Sequence, residues 1–481
     1  MTTRRTFLAS SAAALAAPAT RPNVLFISVD DMNDWVGCLG HPSIRTPNID
    51  KLAARGVLFS NAHCAAPLCN PSRTALLTGL RPSTSGVYDN EQYWRPTMPD
   101  VDTIPMYFRK HGYHVAGAGK VFHHVAGFNP PDQWDEFQLQ EFDDPWYRRD
   151  EWYPWNKKVP APPGHPFNGL RNFQGEFDWG VLSKPEAEYG DQRAVDFGEK
   201  FFGRRLDKPF FLAVGLWHPH IPMFAPQSYF DLYKDARIPD APPDDLDDVP
   251  AVGRRFAAFR RQEHERIVGE KKWKDAVQAY MACITFADAM IGRLIAALDA
   301  SPHARNTAIV FWSDNGWHLG EKQHWHKSTL WQRSTHVPLI FAGAGVQQPG
   351  VARRQPVSLL DLYPTLTGLC GLPANRRNEG ASLVPLLRDA KARRPPAVCT
   401  YLRNNHAVRD ERWRYIRYED GGEELYDTVA DPNEYRNLAG DPKLTKVKHD
   451  LARWMPAKNA ESVPDRSAYD FDFATYTYKR K

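Results

Sequence analysis

Cys69 opens the chemistry of this chain. It lies in Ala66-Pro67-Leu68-Cys69-Asn70-Pro71-Ser72-Arg73-Thr74-Ala75-Leu76-Leu77-Thr78-Gly79, a lone thiol at the start of an apolar helical run. A helix start presents unpaired backbone N–H groups and the positive end of the dipole, and Arg73 one turn along adds a guanidinium, so the position suits an anion. Pro71 fits a first helical turn, where the N–H it lacks has no partner in any case. Asp30-Asp31 and Asp314-Asn315 supply hard oxygen donors, the ligand set of Ca²⁺ or Mg²⁺ rather than zinc. Clustered carboxylates repel one another unless a cation lies between them. The remaining proton carriers and cations come in neighbouring pairs: His123 beside His124 after Lys120, His218 beside His220, and Lys322 close to Lys327.

These groups are far apart in sequence, and the runs before them say how they meet. Val24 to Val29 is an unbroken apolar run ending in Asp30-Asp31, the pattern of a strand buried on both faces. Val57 to Phe59 leads to Asn61 and the Cys69 stretch, Phe210 to Gly215 to His218 and His220, and Ala308 to Trp312 to Asp314-Asn315. Four apolar strands that finish in polar residues fit an open α/β sheet, whose ligands bind outside the strand carboxyl ends. Between them Val277, Tyr280, Met281, Ile284, Ala287, Ile291, Leu294, Ile295 and Leu298 recur at helical spacing, a stripe for packing on the sheet. Pro154 to Pro166 and Pro239 to Pro250 read as long surface loops able to shape a pocket.

Cys69-Asn70-Pro71-Ser72-Arg73 followed by Leu77-Thr78-Gly79 resembles the signature of type I, formylglycine-dependent sulfatases, Cys-x-Pro-Ser-Arg with Leu-Thr-Gly downstream. The resemblance implies that a maturation enzyme oxidises Cys69 to formylglycine. One hydroxyl of its hydrate then attacks sulfur, and the other expels sulfate by re-forming the aldehyde. It also implies one Ca²⁺ held by Asp30, Asp31, Asp314 and Asn315, touching the sulfate and residue 69. Gly112-Tyr113 with Gly119-Lys120-Val121-Phe122-His123 resembles the second family signature. Lys120 would hold the sulfate and one diol oxygen, and His123 would take a proton from the other, with His124 as local rival. Pro219-His220-Ile221-Pro222 matches a histidine that contacts sulfate and protonates the leaving oxygen, with His218 as the alternative. Lys327 falls where the family has a second sulfate-binding lysine, and Lys322 is the weaker candidate.

The implied fold is α/β and alkaline-phosphatase-like: a large mixed or parallel sheet flanked by helices, with a smaller C-terminal α+β subdomain carrying an antiparallel sheet. The implied activity is a sulfuric ester hydrolase acting on a sulfated carbohydrate. A phosphodiester or phosphonate monoester hydrolase, or a choline sulfatase, of the same superfamily is the alternative. Val29-Asp30-Asp31-Met32-Asn33-Asp34-Trp35 and Pro219-His220-Ile221-Pro222 resemble the iduronate-2-sulfatase-like branch, although its human-type members carry Asp-His where this chain has Asp314-Asn315. Trp217, Trp317 and Trp325 lie near the implied sulfate contacts and offer faces for sugar rings.

The 481 residues are 42% hydrophobic, which excludes a disordered chain. A formal charge of +4, lower by two without Arg4 and Arg5, gives no basic field for nucleic acid, so an anionic substrate must be met locally. Residues 1–20 read as an export leader of twin-arginine type, with Arg4-Arg5, a small-residue apolar run and Ala-x-Ala endings. The mature protein is expected in the periplasm or outside the cell, with no other stretch approaching the ~20 apolar residues of a membrane span. The six cysteines have neither metal-knuckle spacing nor the density of a disulfide scaffold. Residues 21–389 read as the catalytic domain. From about residue 390 the pattern turns to short β-like runs, with Trp413 to Tyr418 and Glu424 to Tyr426 around Asp420-Gly421-Gly422 as a hairpin, so 390–481 read as the subdomain.

Overall fold

The computed structural model describes residues 21–147, 159–170, 176–238, 242 and 244–481. The expected leader over 1–20, with Arg4 and Arg5, lies outside the described residues, as do parts of both proline-rich stretches. The apolar runs form strands of one sheet: β1 (Asn23–Asp30), β2 (Gly56–Phe59), β3 (His114–Gly119), β4 (Glu136–Gln138), β5 (Phe210–Pro219), β6 (Thr307–Ser313), β7 (Leu339–Gly343) and β8 (Val351–Arg353). Their order is β8-β2-β7-β6-β1-β5-β3-β4. Only β7 runs against its neighbours; the other pairs are parallel.

Every residue of β1 is buried, because the sheet is covered on both faces. Its alternation sorts the core: Leu25, Ile27 and Val29 join one hydrophobic cluster, Val24 and Phe26 the other. On the Phe26 side lies α1 (Cys69–Thr78), all ten residues buried and closed by Gly79 at φ 76°. The Leu25 side is covered by α2 (Gly190–Phe202) and, beyond the short helices α3 (Ala251–Ala258) and α4 (Arg261–Gly269), by the long α5 (Trp273–Asp299).

The stripe from Val277 to Leu298 is the buried face of α5. By length and composition α5 is apolar enough to cross a membrane, which corrects the expectation that no stretch beyond the leader comes near. Its apolar residues are buried in the core that covers the sheet, and most of that window is inside the protein.

After residue 390 the chain forms an antiparallel meander, β9 (Ala397–Thr400), β10 (His406–Arg409), β11 (Trp413–Arg417) and β12 (Glu423–Asp427). One face holds its own small core of Val408, Tyr415 and Leu425 under α6 (Thr445–Ala452). The other face, through Cys399, Ala407, Ile416 and Tyr426, belongs to the main core. The chain then returns to the large body as the hairpin β13 (Tyr469–Asp472) and β14 (Thr477–Arg480), with Tyr478 5.1 Å from Tyr93 ring to ring. All six cysteines are free thiols.

Candidate functional site

Consecutive side chains of a strand point to opposite faces, so two neighbouring acids cannot both face one point while the pleat continues. At the end of β1 it does not continue: Asp31 is left-handed, at φ 61°, a region aspartate tolerates better than most residues. Asp30 and Asp31 thus converge. Asp314 follows β6, whose Ser313 pairs with Val29, and it accepts the Asp31 N–H at 3.1 Å. One carboxylate oxygen from each of Asp30, Asp31 and Asp314 lies within 4.8 Å of the others. Asn315 donates through Nδ2 to Asp31 Oδ1 at 2.8 Å, while Asn315 Oδ1 and Asp31 Oδ2 are buried with no hydrogen-bond partner.

Burial pushes the Asp31 carboxyl up to about 7; Lys327 works against this, and the charges of Asp30 and Asp314 add to it. Burial acts on Asp30 too, but the charges of Lys120 and Arg73 outweigh it and hold that carboxyl well below its usual range. Three buried acids, with an orphaned oxygen on Asp31 and another on Asn315, fit a hard divalent cation.

Cys69 is the first residue of α1, after Leu68 in extended conformation, and Pro71 falls in the first turn as anticipated. Its Sγ accepts from Lys327 Nζ at 2.9 Å and Lys120 Nζ at 3.9 Å, and the thiol donates to Asp30 Oδ1 at 3.5 Å. The helix start suggested a place that suits an anion, and two lysine ammoniums stand beside Sγ. Burial and then the Asp30 charge push the Cys69 thiol up, away from the thiolate that an activated cysteine nucleophile requires.

Arg73 does not face open space. It is fully buried and donates to Asp314 Oδ2 at 2.8 Å and to the carbonyls of Lys120 at 2.6 Å and Val121 at 3.0 Å. It is a strut between the acids and the Lys120 turn. Ser72 adds a bond to the Asp314 carbonyl at 2.6 Å.

Lys120 enters where β3 and β5 nearly touch. Gly119 is at φ 73°, and a Cβ there would lie 2.0 Å from the Gly215 carbonyl, so only glycine lets the chain turn inward. The Lys120 ammonium bonds Asp30 and stands 4.3 Å above the Trp217 ring. His123 lines the cleft with a buried, unpartnered Nδ1, and burial and Lys120 keep its ring neutral. His124 lines the same cleft and packs edge-on to Trp217.

The two histidines after β5 part company. His220 Nδ1 bonds the Ile221 carbonyl at 2.5 Å, and its Nε2 stands 3.6 Å from Asp31 Oδ2; burial and Lys120 hold it neutral. With Nδ1 donating, Nε2 is the proton acceptor. His218 instead bonds Asp191 at 2.7 Å and the Phe224 carbonyl at 2.6 Å, two acceptors, so both its nitrogens donate. Burial opposes that charge, but Asp191 outweighs it and raises the pKa.

Lys327 follows the two-stranded turn of His318–Leu319 and Trp325–His326, which contains left-handed Lys322, Gln323 and His326, with left-handed Ser328 just beyond it. The Ser328 N–H donates to the Pro67 carbonyl at 3.0 Å, which brings this turn to the Cys69 stretch. Lys327 Nζ meets Asp31 Oδ1 at 2.5 Å. Lys322 faces the other way, to the Glu434 carbonyl at 2.5 Å and Asp245 at 2.6 Å, so it joins the subdomain to the second proline-rich stretch.

A cleft of about 500 Å³ opens above this floor, within the range of small-molecule sites. His123, His220 and Lys327 line it, and Trp317 is the one of the three expected tryptophans that does so. Trp217 lies beneath Lys120, and Trp325 is wholly buried against Trp273 and Phe177, which corrects its expected role as a sugar platform. Sequence reasoning missed Phe259 and Arg260, at the corner between α3 and α4, and Tyr401 of the subdomain, all on the cleft wall. None belongs to a motif; an exposed phenylalanine next to an arginine was the only available signal.

Comparison with known proteins agrees with this geometry. The sulfatase family profile matches residues 22–372, and the profile described as N-sulphoglucosamine sulphohydrolase, C-terminal, matches residues 320–461. A sulfatase of Formosa agariphila is 40% identical over 461 residues, covering 92% of this chain and 87% of that protein. Iduronate 2-sulfatase of Homo sapiens is 34% identical over 412 residues, 77% of this chain and 72% of its own. A solved structure described as a 2-O GAG sulfatase matches with a TM-score of 0.68 at 25% identity, covering 90% of each chain.

Proposed function

This chain belongs to the sulfatase family, and we propose that it releases inorganic sulfate from a carbohydrate bearing a sulfated uronic acid, with residue 69 as the reacting group. The carrying observation is the Cys69 environment: a thiol kept protonated, yet touched by Lys327 and close to Lys120 on the floor of a cleft. Such a thiol is a poor nucleophile, while its surroundings suit an anion at the same point. Oxidised to formylglycine by a maturation enzyme and hydrated by one water to the geminal diol, position 69 would supply a hydroxyl nucleophile and a second hydroxyl that expels sulfate as the aldehyde re-forms.

The uronic acid is suggested by the human relative, named for iduronate 2-sulfate, and by the neighbour described as a 2-O GAG sulfatase. Asp30, Asp31, Asp314 and Asn315 would hold a Ca²⁺, whose charge would counter that of the sulfate. Lys120 and Lys327 are compact cations able to donate to several sulfate oxygens. Neutral His123, through Nδ1, is the group able to take a proton from a hydroxyl on residue 69. His220 Nε2 is suited to exchange a proton with the leaving oxygen. Arg73 positions the acids without meeting substrate. Export by the twin-arginine route is part of the proposal, and replacing Arg4 and Arg5 with lysine should leave the protein in the cytoplasm.

Two measurements test the reading. Peptide mass across residue 69 from the native producer should give formylglycine; fully active enzyme with only free thiol refutes the assignment. Initial rates of matured enzyme on sulfated uronate disaccharides, choline sulfate and a phosphonate monoester should be highest for a disaccharide. A higher kcat/KM for either of the others refutes the substrate class.

A further inference from the structure

Phe259 and Arg260 form a corner that the proposed chemistry does not use. Phe259 is 52% exposed, among the most exposed large apolar residues of the chain, and it lines the cleft. Arg260 is left-handed, at φ 60° and ψ 27°, a conformation that is unfavourable for a residue with a Cβ and that persists where the surroundings hold it. The surroundings do hold it. Val252, Phe256 and Ala257 of α3 are buried, with Phe256 4.8 Å from Tyr401 ring to ring, and Ile267 of α4 is fully buried. The corner itself, 258–262, is exposed.

Arg260 NH1 donates to Glu263 Oε1 at 3.1 Å, which engages one of its five N–H donors. The other Glu263 oxygen meets His326 Nε2, and His326 immediately precedes Lys327. One buried carboxylate thus bonds Arg260 at the rim and His326, the residue before Lys327. Trp317, 4.6 Å from the His326 ring, lies on the same wall. Asp89 and Glu91 also line the cleft, Glu91 paired with Arg466. They would turn a second anion on the substrate toward Arg260.

We propose that Phe259 and Arg260 are specificity determinants for the carboxylate of the sulfated sugar: Arg260 donates to the carboxylate and Phe259 covers an apolar face of the ring. Glu263 is the positioning residue that holds the Arg260 guanidinium. This rests on the carbohydrate reading above.

The test compares matured wild type, Arg260→Ala, Arg260→Lys and Phe259→Ala on three substrates: a 2-O-sulfated hexuronate disaccharide, its carboxyl-reduced counterpart and an aryl sulfate. Arg260→Ala should lower kcat/KM on the carboxylate form about tenfold or more, chiefly through KM, with at most about a third of that loss on the reduced form. Arg260→Lys should recover part of the loss, since it keeps the charge without the fork. Phe259→Ala should cost both disaccharides about equally, by several-fold. Equal losses on the two disaccharides for Arg260→Ala, or none, overturn the inference. Turnover of the aryl sulfate but of neither disaccharide overturns it while sparing the sulfatase chemistry. No turnover of any substrate by formylglycine-bearing enzyme overturns the proposed function itself.

Discussion

On the floor of the cleft each charged group is spent on another, Lys120 on Asp30, Lys327 on Asp31 and Arg73 on Asp314, all buried; on the rim Arg260 has one ionic partner among the described residues and the side chain is 40% exposed. The floor is assembled from the ends of four strands and from α1, so its groups are fixed before substrate arrives, in a largely buried place beneath the cleft. That suits stabilisation of charge that develops during reaction. The rim is a single helix corner, replaceable without disturbing the sheet. The same contrast is repeated within one turn, where Lys327 faces the floor and Lys322, five residues earlier, is bound to the subdomain junction.

Cys69→Ser should make the deepest break in this comparison. It keeps the packing and removes the second hydroxyl, so kcat should fall by about a million-fold, as for loss of other enzyme nucleophiles. Calorimetry should find the melting temperature almost unmoved; a retained thousandth of the activity refutes the role of residue 69. Removing divalent cations should come next, with roughly a thousandfold loss of rate, several kcal/mol of transition-state stabilisation. Melting temperature should drop as well, since an ion at a hundred times its Kd contributes about 2.7 kcal/mol. Ca²⁺ should restore both, and full activity in metal-free protein refutes the site.

The two lysines sharpen the contrast. Lys327→Ala should lower kcat/KM about 10²- to 10³-fold, the cost of one preorganised donor. Lys322→Ala leaves Asp245 without its buried partner and should cost about 3–5 kcal/mol in denaturant unfolding, with kcat/KM changed only a few-fold. Reversed outcomes would mean that the wrong lysine faces sulfate.

The smallest effect concerns His218. Its pKa is raised in the fold by Asp191, so more protons are bound folded than unfolded, and its contribution is full below about 6.5 and is lost as pH rises through the raised value. The melting temperature of wild type should therefore fall relative to that of His218→Gln as pH climbs above 6.5. Parallel curves would show that His218 is neutral, in the manner of His220.

Much of the floor was legible in the chain because its residues sit at ends of strongly patterned elements. The run before Asp30 contains no residue that could interrupt a buried strand, and the run before Asp314 is of the same kind; a parallel sheet then brings those ends to one edge. The helix after Cys69 was equally plain, from Pro71 in its first turn to Gly79 at its close. Trp325 shows the limit: its type and nearness in sequence to Lys327 suited a sugar platform, but adjacent residues in a turn face different ways, and this one faces the core.

The sequence by itself determined the element types, the sheet edge at which the chemistry gathers, and the set of acids, cations and imidazoles available there, since those follow from local periodicity and residue type. Tertiary structure decided what becomes of the rivals: Asp191, Glu434 and Asp245 come from distant segments to claim His218 and Lys322, while His123 and His124 both line the cleft. It also decided the charge at Cys69: a helix start and an arginine favour an anion, but a pKa sums over every neighbour, and here burial and then Asp30 push the thiol up.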